Sequence, residues 1–428
     1  MSDAYEQSLS QQPDNADSGA LSRLLRRRLL DLLAQLRGCE IKLADSEADL
    51  SLGTIEEGCA DPIRVSVQVL NHEFYRMTAA QGSVGAAEAY MEGYWSCSDL
   101  VGLVRILVRN RDLLDRMETG TARIGGWLLN RWHQLRRNTK SGSRRNIAAH
   151  YDLGNPLFKL FLDSNMMYSS AIFTDPNDSL EAASERKLDR ICQKLELAEG
   201  MRVVEIGTGW GGFALHAAAR YGCHVTTTTI SAEQHQLAKQ RVAEAGLQDR
   251  VTLLQDDYRD LEGRFDRLVS IEMIEAIDHQ YLNTYFDKVA DLLKPDGMAL
   301  IQAITIEDHR YQQALKSVDF IKRFIFPGSF IPSVSAMLGA AARTDLRLFN
   351  LEDIGPSYAL TLRHWRRRFM KRLPEVRELG YPDRFIRMWE FYLAYCEGGF
   401  IERSIGNVHL LLTKPGSRRR EWLPDLNA

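Results

Sequence analysis

The sequence predicts an α/β fold, a parallel sheet covered on both faces by helices, with a small, mainly helical domain ahead of it. Three observations point there. From about Asn146, apolar runs at 201–206, 223–229, 250–254, 265–271 and 297–304 alternate with helical stretches, the pattern of strands joined by crossover helices. The first run ends in the glycine-rich turn of VVEIGTGWGGF, Val203 to Phe213, and a helical stretch starts at Ala214. Residues 21 to about 130 have a different composition: they open on the basic LSRLLRRRLLDLLAQL and contain Leu100, Leu103, Val104 and Leu107 at helical spacing.

The chain has 428 residues, 45% of them hydrophobic, enough for two or three domains with cores of their own. Residues 1–20 carry four acids and no base and have the composition of a disordered tail. The N-terminal domain follows at 21–130, then RWHQLRRNTKSGSRRN, whose six basic residues around a Ser-Gly-Ser core fit an exposed linker at 131–146. The α/β domain occupies 147–428. Within it YQQALKSVDFIKRFIFPGSFIPS, rich in Phe and Ile and broken by Pro327, Gly328 and Pro332, reads as a helical lid insertion or apolar wall after the fifth strand, or as a packed helix pair. The six cysteines lack C-x-x-C spacing, so neither a disulfide framework nor a metal site is expected, and a reducing cytoplasm is the natural setting. No apolar run approaches the roughly eighteen residues a membrane span needs, so membrane contact would be peripheral. With 54 basic and 57 acidic residues and no aromatic-basic reading motif, no nucleic-acid partner is expected.

Gly207, Gly209 and Gly212 satisfy the G-x-G-x-x-G of dinucleotide sites. The rest of the unit does not. A dinucleotide site places an acid at the end of the second strand for the ribose, and CHVTTTTIS offers none. Glu205, just before the loop, suits a cationic, amine-bearing ligand, although it could be a plain strand-end carboxylate, and Trp210 stands where a pyrophosphate would need close backbone approach. QDDYRDL brings Asp257 and Tyr258 to the carboxyl edge of the sheet, a place for adenine. These features favour S-adenosylmethionine and hence a Rossmann-like class I methyltransferase sheet.

Six ordered blocks then carry a resemblance: HYDLGNPLFKLFLDSNMMYSSAIF, VVEIGTGWGGFALHAA, TTISAEQ, VSIEMIEAI, DFIKRFIFPGSFIPS and FYLAYCEGGF. The chain resembles the cyclopropane-fatty-acyl-phospholipid synthase family, which includes the mycolic acid cyclopropane synthases. The resemblance implies that Tyr168 and Ser169 touch the methionine part of the cofactor, that Gly207 and Gly209 form its loop, and that Thr229 and Gln234 replace the missing acid. It places Tyr258 and Arg259 at the adenine with Ile271 lining the pocket; Thr229 and Ile271 are also compatible with plain core positions. It further implies a bound bicarbonate as base, held by Ser170, Glu275, Gln302, Ile304 through its backbone, and Tyr358.

The implied reaction is methyl transfer to the double bond of an unsaturated phospholipid acyl chain, then loss of a proton from the resulting carbocation to form a cyclopropane. An alkene is a weak nucleophile, so donor and acceptor have to be held in line in a dry pocket. Two positions depart from the commonest family pattern: Ser170 replaces a cysteine, and Gln302 a histidine. Both can hydrogen-bond an oxyanion, but neither exchanges protons as imidazole does. A methyl-branched product, or a silent lipid-binding homologue, stays open at this point. Arg23, Arg26, Arg27, Arg28 and Arg37, with Arg136, Arg137, Lys140, Arg144 and Arg145 of the linker, would suit a membrane surface, or simply a solvated face. The resemblance also implies a homodimer.

Overall fold

The structure, a computed structural model, describes residues 19–117 and 154–419. The acidic tail up to residue 18, the basic linker at 131–146 with its arginines and lysine, and the first residues of the HYDLGN block lie outside the described residues. The chain divides into two compact units, the first built from the N-terminal residues with Asp383–Phe391, the second from the remainder.

In the first unit, helices Ala20–Leu33, Glu73–Met91, Leu100–Arg109 and Arg111–Met117 supply most of the ordered residues. They accompany a sheet the sequence reading did not anticipate: β1 Cys39–Ala44, β2 Asp49–Leu52, β3 Ile63–Val69 and β4 Trp95–Cys97, in the order β2-β1-β3-β4. IRVSVQV in β3 alternates strictly, and every second residue is buried, as a half-covered sheet requires. Helix Ala20–Leu33 has no fully buried residue, and Leu21 and Leu24 are exposed. Arg26 is the exception on its basic face. Its guanidinium is drawn to Asp45 (Nε to Oδ2, 2.6 Å), which also accepts from Tyr75 Oη at 2.5 Å, so Arg26 leaves the set facing solvent.

In the second unit the five apolar runs become β5 Arg202–Ile206, β6 His224–Thr228, β7 Val251–Leu254, β8 Phe265–Ile271 and β9 Leu293–Ile306. Two further strands, β10 Arg347–Asp353 and β11 Ile405–Thr413, complete a seven-stranded sheet in the order β10-β11-β9-β8-β5-β6-β7. β5 to β9 run parallel, while β11 lies antiparallel between β9 and β10. Both faces are covered. Val204, Leu268, Ile301 and Leu410 pack toward Tyr285, Phe286 and Val289 of helix Leu282–Asp291. Val203, Val225, Leu300 and Leu411 pack toward helices Leu180–Lys194 and Gly212–Tyr221. Strand order reverses between β5 and β8, which opens a crevice at their carboxyl ends, the usual ligand position of such sheets. No helix among the described residues is long and apolar enough to cross a membrane.

Candidate active site

The glycine loop follows β5 at that switch point. Gly207 (φ 102°) and Gly209 (φ 52°) both occupy the left-handed half of backbone space, which other side chains enter at a cost. A Cβ on Gly209 would meet nothing within 4 Å, whereas one on Gly207 would stand 3.2 Å from Cγ of Met273. The loop therefore borders open space on one side and the EMIEAI segment on the other. Trp210 is buried and turned out of the way: Nε1 donates to Asn155 Oδ1 at 2.7 Å, and the ring packs 4.9 Å from that of Phe158.

Behind the loop, Glu205 is only 2% exposed and accepts from Thr227 Oγ1 at 2.7 Å. Burial pushes its carboxyl up to about 8, against the pull of Thr227 and of the Lys187 cation. Lys187 is fully buried as well, is pushed down to about 8 by that burial, and donates from Nζ to Ser169 Oγ at 2.8 Å. At the end of β6, Thr229 Oγ1 donates to Gln234 Oε1 at 2.8 Å, so these two positions meet. After β7, Arg259 grips Asp257 in a two-pronged pair (2.8 and 2.7 Å), with its guanidinium 5.6 Å over the Tyr258 ring. Tyr258 Oη is buried with no hydrogen-bond partner, and Ile271, at the end of β8, is half-buried. An open-sided glycine turn, a buried carboxyl and an orphaned phenol fit an amine-bearing, adenine-containing ligand.

The catalytic candidates come together around a residue that sequence reasoning missed. Glu272, in the same EMIEAI block, receives four donors: the Ser170 backbone N–H (2.9 Å), Gln302 Nε2 (2.7 Å) and Asn407 Nδ2 (2.6 Å) on Oε1, and Tyr358 Oη (2.7 Å) on Oε2. The parallel β8–β9 register sets Gln302 beside Ile271, one residue from Glu272, and β11 brings Asn407 and His409 from more than a hundred residues away. His409 Nε2–H donates to Gln302 Oε1 at 3.1 Å, which orients the amide with its NH₂ toward Glu272. Burial, then the Lys194, Lys187 and Arg190 cations, hold that imidazole far below its usual value, so it is neutral. An imidazole is thus one hydrogen bond away from the position where the family more often carries one. An acid three residues before Glu275 is the one sequence signal that pointed to Glu272 itself.

Glu275 plays a different part. Its Oε1 accepts the Ile304 N–H at 2.6 Å, and its Oε2 is buried without a partner. Burial, then repulsion from Glu272, pushes its carboxyl up to about 8, so it holds its proton at neutral pH. Burial also holds the Tyr358 phenol well above its usual value, which keeps it a donor. Most of the groups that the family resemblance assigned to a bicarbonate are therefore engaged: the Ser170 hydroxyl by the Ala171 carbonyl (2.9 Å), Gln302 and Tyr358 by Glu272, and the Ile304 N–H by Glu275, whose own Oε2 keeps no partner. With the Glu272 carboxylate already on Gln302, Tyr358 and the Ser170 N–H, a second carboxylate-shaped anion does not fit that set.

Aromatic rings wall the cluster. Tyr358 lies 4.4 Å from Phe400, Tyr168 stacks 5.2 Å from Trp365, and Tyr168 and Tyr392 share a hydroxyl–hydroxyl bond of 2.9 Å. From the insertion, Phe326 reaches Tyr392 (6.1 Å), Phe320 reaches Tyr395 (6.0 Å), and the Phe330 N–H donates to the Glu275 carbonyl at 3.0 Å. Among the described residues no group of His, Cys, Asp and Glu side chains could hold a metal ion.

Residues 138–410 match the family described as mycolic acid cyclopropane synthetase. The tuberculostearic acid methyltransferase UfaA1 of Mycobacterium tuberculosis is 38% identical over 395 residues, covering 90% of this chain and 88% of that protein. The cyclopropane-fatty-acyl-phospholipid synthase of Escherichia coli K12 is 38% identical over 346 residues, 79% of this chain and 85% of that protein. Among solved structures, the cyclopropane synthase MmaA2 of Mycobacterium tuberculosis superposes with a TM-score of 0.60 at 28% identity, over 63% of this chain and 98% of that one. The mycolic acid cyclopropane synthase CmaA1 complexed with SAH and CTAB has the same TM-score at 27% identity, over 63% of this chain and 98% of its own. With the sheet, the loop and the carboxylate cluster in place, the chain belongs to the mycolic acid cyclopropane synthetase family and is an S-adenosylmethionine-dependent methyltransferase of lipids.

Proposed function

We propose that this enzyme transfers a methyl group from S-adenosylmethionine to the double bond of an unsaturated phospholipid acyl chain, and that loss of a proton from the resulting carbocation closes a cyclopropane. The observation that carries this reading is a carboxylate ringed by donors and walled by Tyr358, Phe400, Tyr168 and Trp365, next to the cofactor loop. A negative charge and aromatic faces both stabilise a cation that water would otherwise trap. Tyr168, Ser169, Glu205, Gly207, Gly209, Thr229, Gln234, Tyr258, Arg259 and Ile271 would hold S-adenosylmethionine, which supplies an electrophilic methyl when bound. Lys187 orients Ser169, the aromatic wall excludes water, and Glu275 presents a protonated carboxyl beside Glu272.

Two observations favour a second product. Ser170 and Gln302 stand at the two positions where this chain departs from the commonest pattern, and a relative matched over 90% of this chain is named a methyltransferase rather than a cyclopropane synthase. A methyl branch is that product. The enzyme would meet its lipid at the cytoplasmic membrane surface through helix Ala20–Leu33.

Incubation with methyl-labelled S-adenosylmethionine and vesicles of a monounsaturated phospholipid, followed by mass spectrometry and proton NMR of the acyl chains, tests both readings. Upfield ring protons are expected. Label without them makes the enzyme a branching methyltransferase, and no label in the lipid removes the phospholipid reading.

A further inference from the structure

The geometry points to Glu272 as a resident carboxylate base, built into the chain at the place where a diffusible anion would otherwise be held. The inference deepens the proposed alkene methylation and rests on it. Its first support is the donor set. A backbone N–H, two amide NH₂ groups and a phenol converge on one carboxylate from four separate segments, at 2.6 to 2.9 Å. Such convergence is what an anion site requires, and here the anion is covalently attached.

The second support is backbone strain. Glu272 has φ 47°, in the left-handed region, where a side chain costs about 1–2 kcal/mol relative to glycine. Most residues at such a position are glycine, asparagine or aspartate. A glutamate persists there when its side chain is held by more than its backbone loses, and the four bonds provide that hold. The third support is position: Glu272 is only half-buried and follows β8 directly, at the carboxyl edge of the sheet where the crevice opens.

The step balances without an external base. The π pair of the alkene attacks the donor methyl, forming one C–C bond while the sulfur leaves with the C–S pair as a thioether. The cation left on the neighbouring carbon faces Glu272. A Glu272 oxygen takes a proton from the transferred methyl, and the released C–H pair closes the ring. The proton passes to solvent after the product leaves. Had the proton come from a chain carbon instead, the same carboxylate would give an alkene bearing a methyl branch.

The test uses the full-length enzyme and the variants E272G and E272Q. Glycine relieves the left-handed backbone and empties the anion position, whereas glutamine fills it without charge. Carbon-13 bicarbonate is titrated into each protein and its NMR line width followed, a readout independent of turnover. Line broadening is expected with E272G and not with the wild type or E272Q. Turnover is then compared in carbon dioxide-free buffer and with millimolar bicarbonate. The wild type should be unchanged, E272G about 100-fold slower or more without bicarbonate and restored by it, and E272Q slow in both. Retained S-adenosylhomocysteine binding by calorimetry shows that each variant is folded. A wild type that binds bicarbonate and needs it for turnover overturns the inference, as does an E272G that works at full rate without it. If the wild type labels no lipid in either buffer, it is the alkene-methylation reading that fails, and the line-width titration still decides whether the anion position is taken.

Discussion

At the scale of single residues, Glu272 and Glu275 divide the chemistry of two carboxyls by environment. Four donors surround Glu272, whereas Glu275 has one backbone N–H and one oxygen without a partner. Burial and the Glu272 charge push Glu275 up to about 8, against about 4.5 in the unfolded chain. The folded state therefore binds the extra proton between those values. Its contribution to stability is complete below about pH 4.5, falls as pH rises through about 8, and is level above that. The E275Q variant mimics the protonated form and lacks this loss. Thermal unfolding at about pH 5 and about pH 9 should show the variant gaining on the wild type at the higher pH; a constant difference would mean that Glu275 does not titrate in this window. Turnover of E275Q at neutral pH should stay within a few-fold of the wild type, as should S-adenosylhomocysteine binding followed by calorimetry, because the amide reproduces the neutral carboxyl. A loss of about 100-fold or more would show that Glu275 itself transfers a proton in the reaction.

At the scale of elements, the parallel strands were legible because β5, β8 and β9 are buried on both faces and read as continuous apolar runs bounded by turns. β10 and β11 were not, although IGNVHLLLT is as apolar, because they follow the helical insertion and no βα alternation marks them. Their absence from the reading hid Asn407 and His409, and with them half of the polar frame around Glu272 and Gln302. The alternation of IRVSVQV was visible but stands in a region whose leucines and alanines speak for helix. Glu272 itself is a matter of local geometry. Sequence shows two acids three apart, and only the turn after β8 decides which of them meets the donors.

β10 carries a structural duty of its own. Burial would raise Glu352, but Arg190 and Lys194 of helix Leu180–Lys194 outweigh it and hold the carboxylate below its usual range. Arg190 Nη2 lies 3.0 Å from Glu352, and Lys194, with a side chain 0% exposed, is its second partner. Removing the carboxylate takes the ion-pair partner from the buried Lys194 cation and one partner from Arg190, a change that costs about 3–5 kcal/mol. The Glu352→Ala variant should lose that much by urea unfolding, and Glu352→Gln somewhat less. A loss under about 1 kcal/mol would show that water reaches both cations and that the pairing is not what fixes β10 to the helix.

At the scale of the whole molecule, the substrate proposed for this enzyme is held in a bilayer, and the chemistry waits on reaching it. The first unit offers one element suited to that contact. Helix Ala20–Leu33 leaves Leu21 64% and Leu24 47% exposed, with Arg27 and Arg28 exposed on the same segment, while Arg26 is spent on Asp45. Two forces with different salt dependence would act there. Each arginine near an anionic leaflet contributes about 1 kcal/mol, roughly a fivefold change in affinity, and this attraction fades as ionic strength rises. Each leucine contributes about 1.5–3 kcal/mol if fully buried among acyl chains, and that contribution does not fade. A R27Q/R28Q variant should therefore bind anionic vesicles about 25-fold more weakly at low salt and nearly as well as the wild type at high salt. L21S/L24S should bind more weakly at both. Vesicle cosedimentation across a salt series separates the two slopes. Turnover on vesicles should follow the binding losses, and turnover on the same lipid dispersed in detergent should not, because neither pair lies in the unit that carries the active site. If both variants cosediment as the wild type does, this helix is a solvated face and membrane contact has to be sought on the second unit.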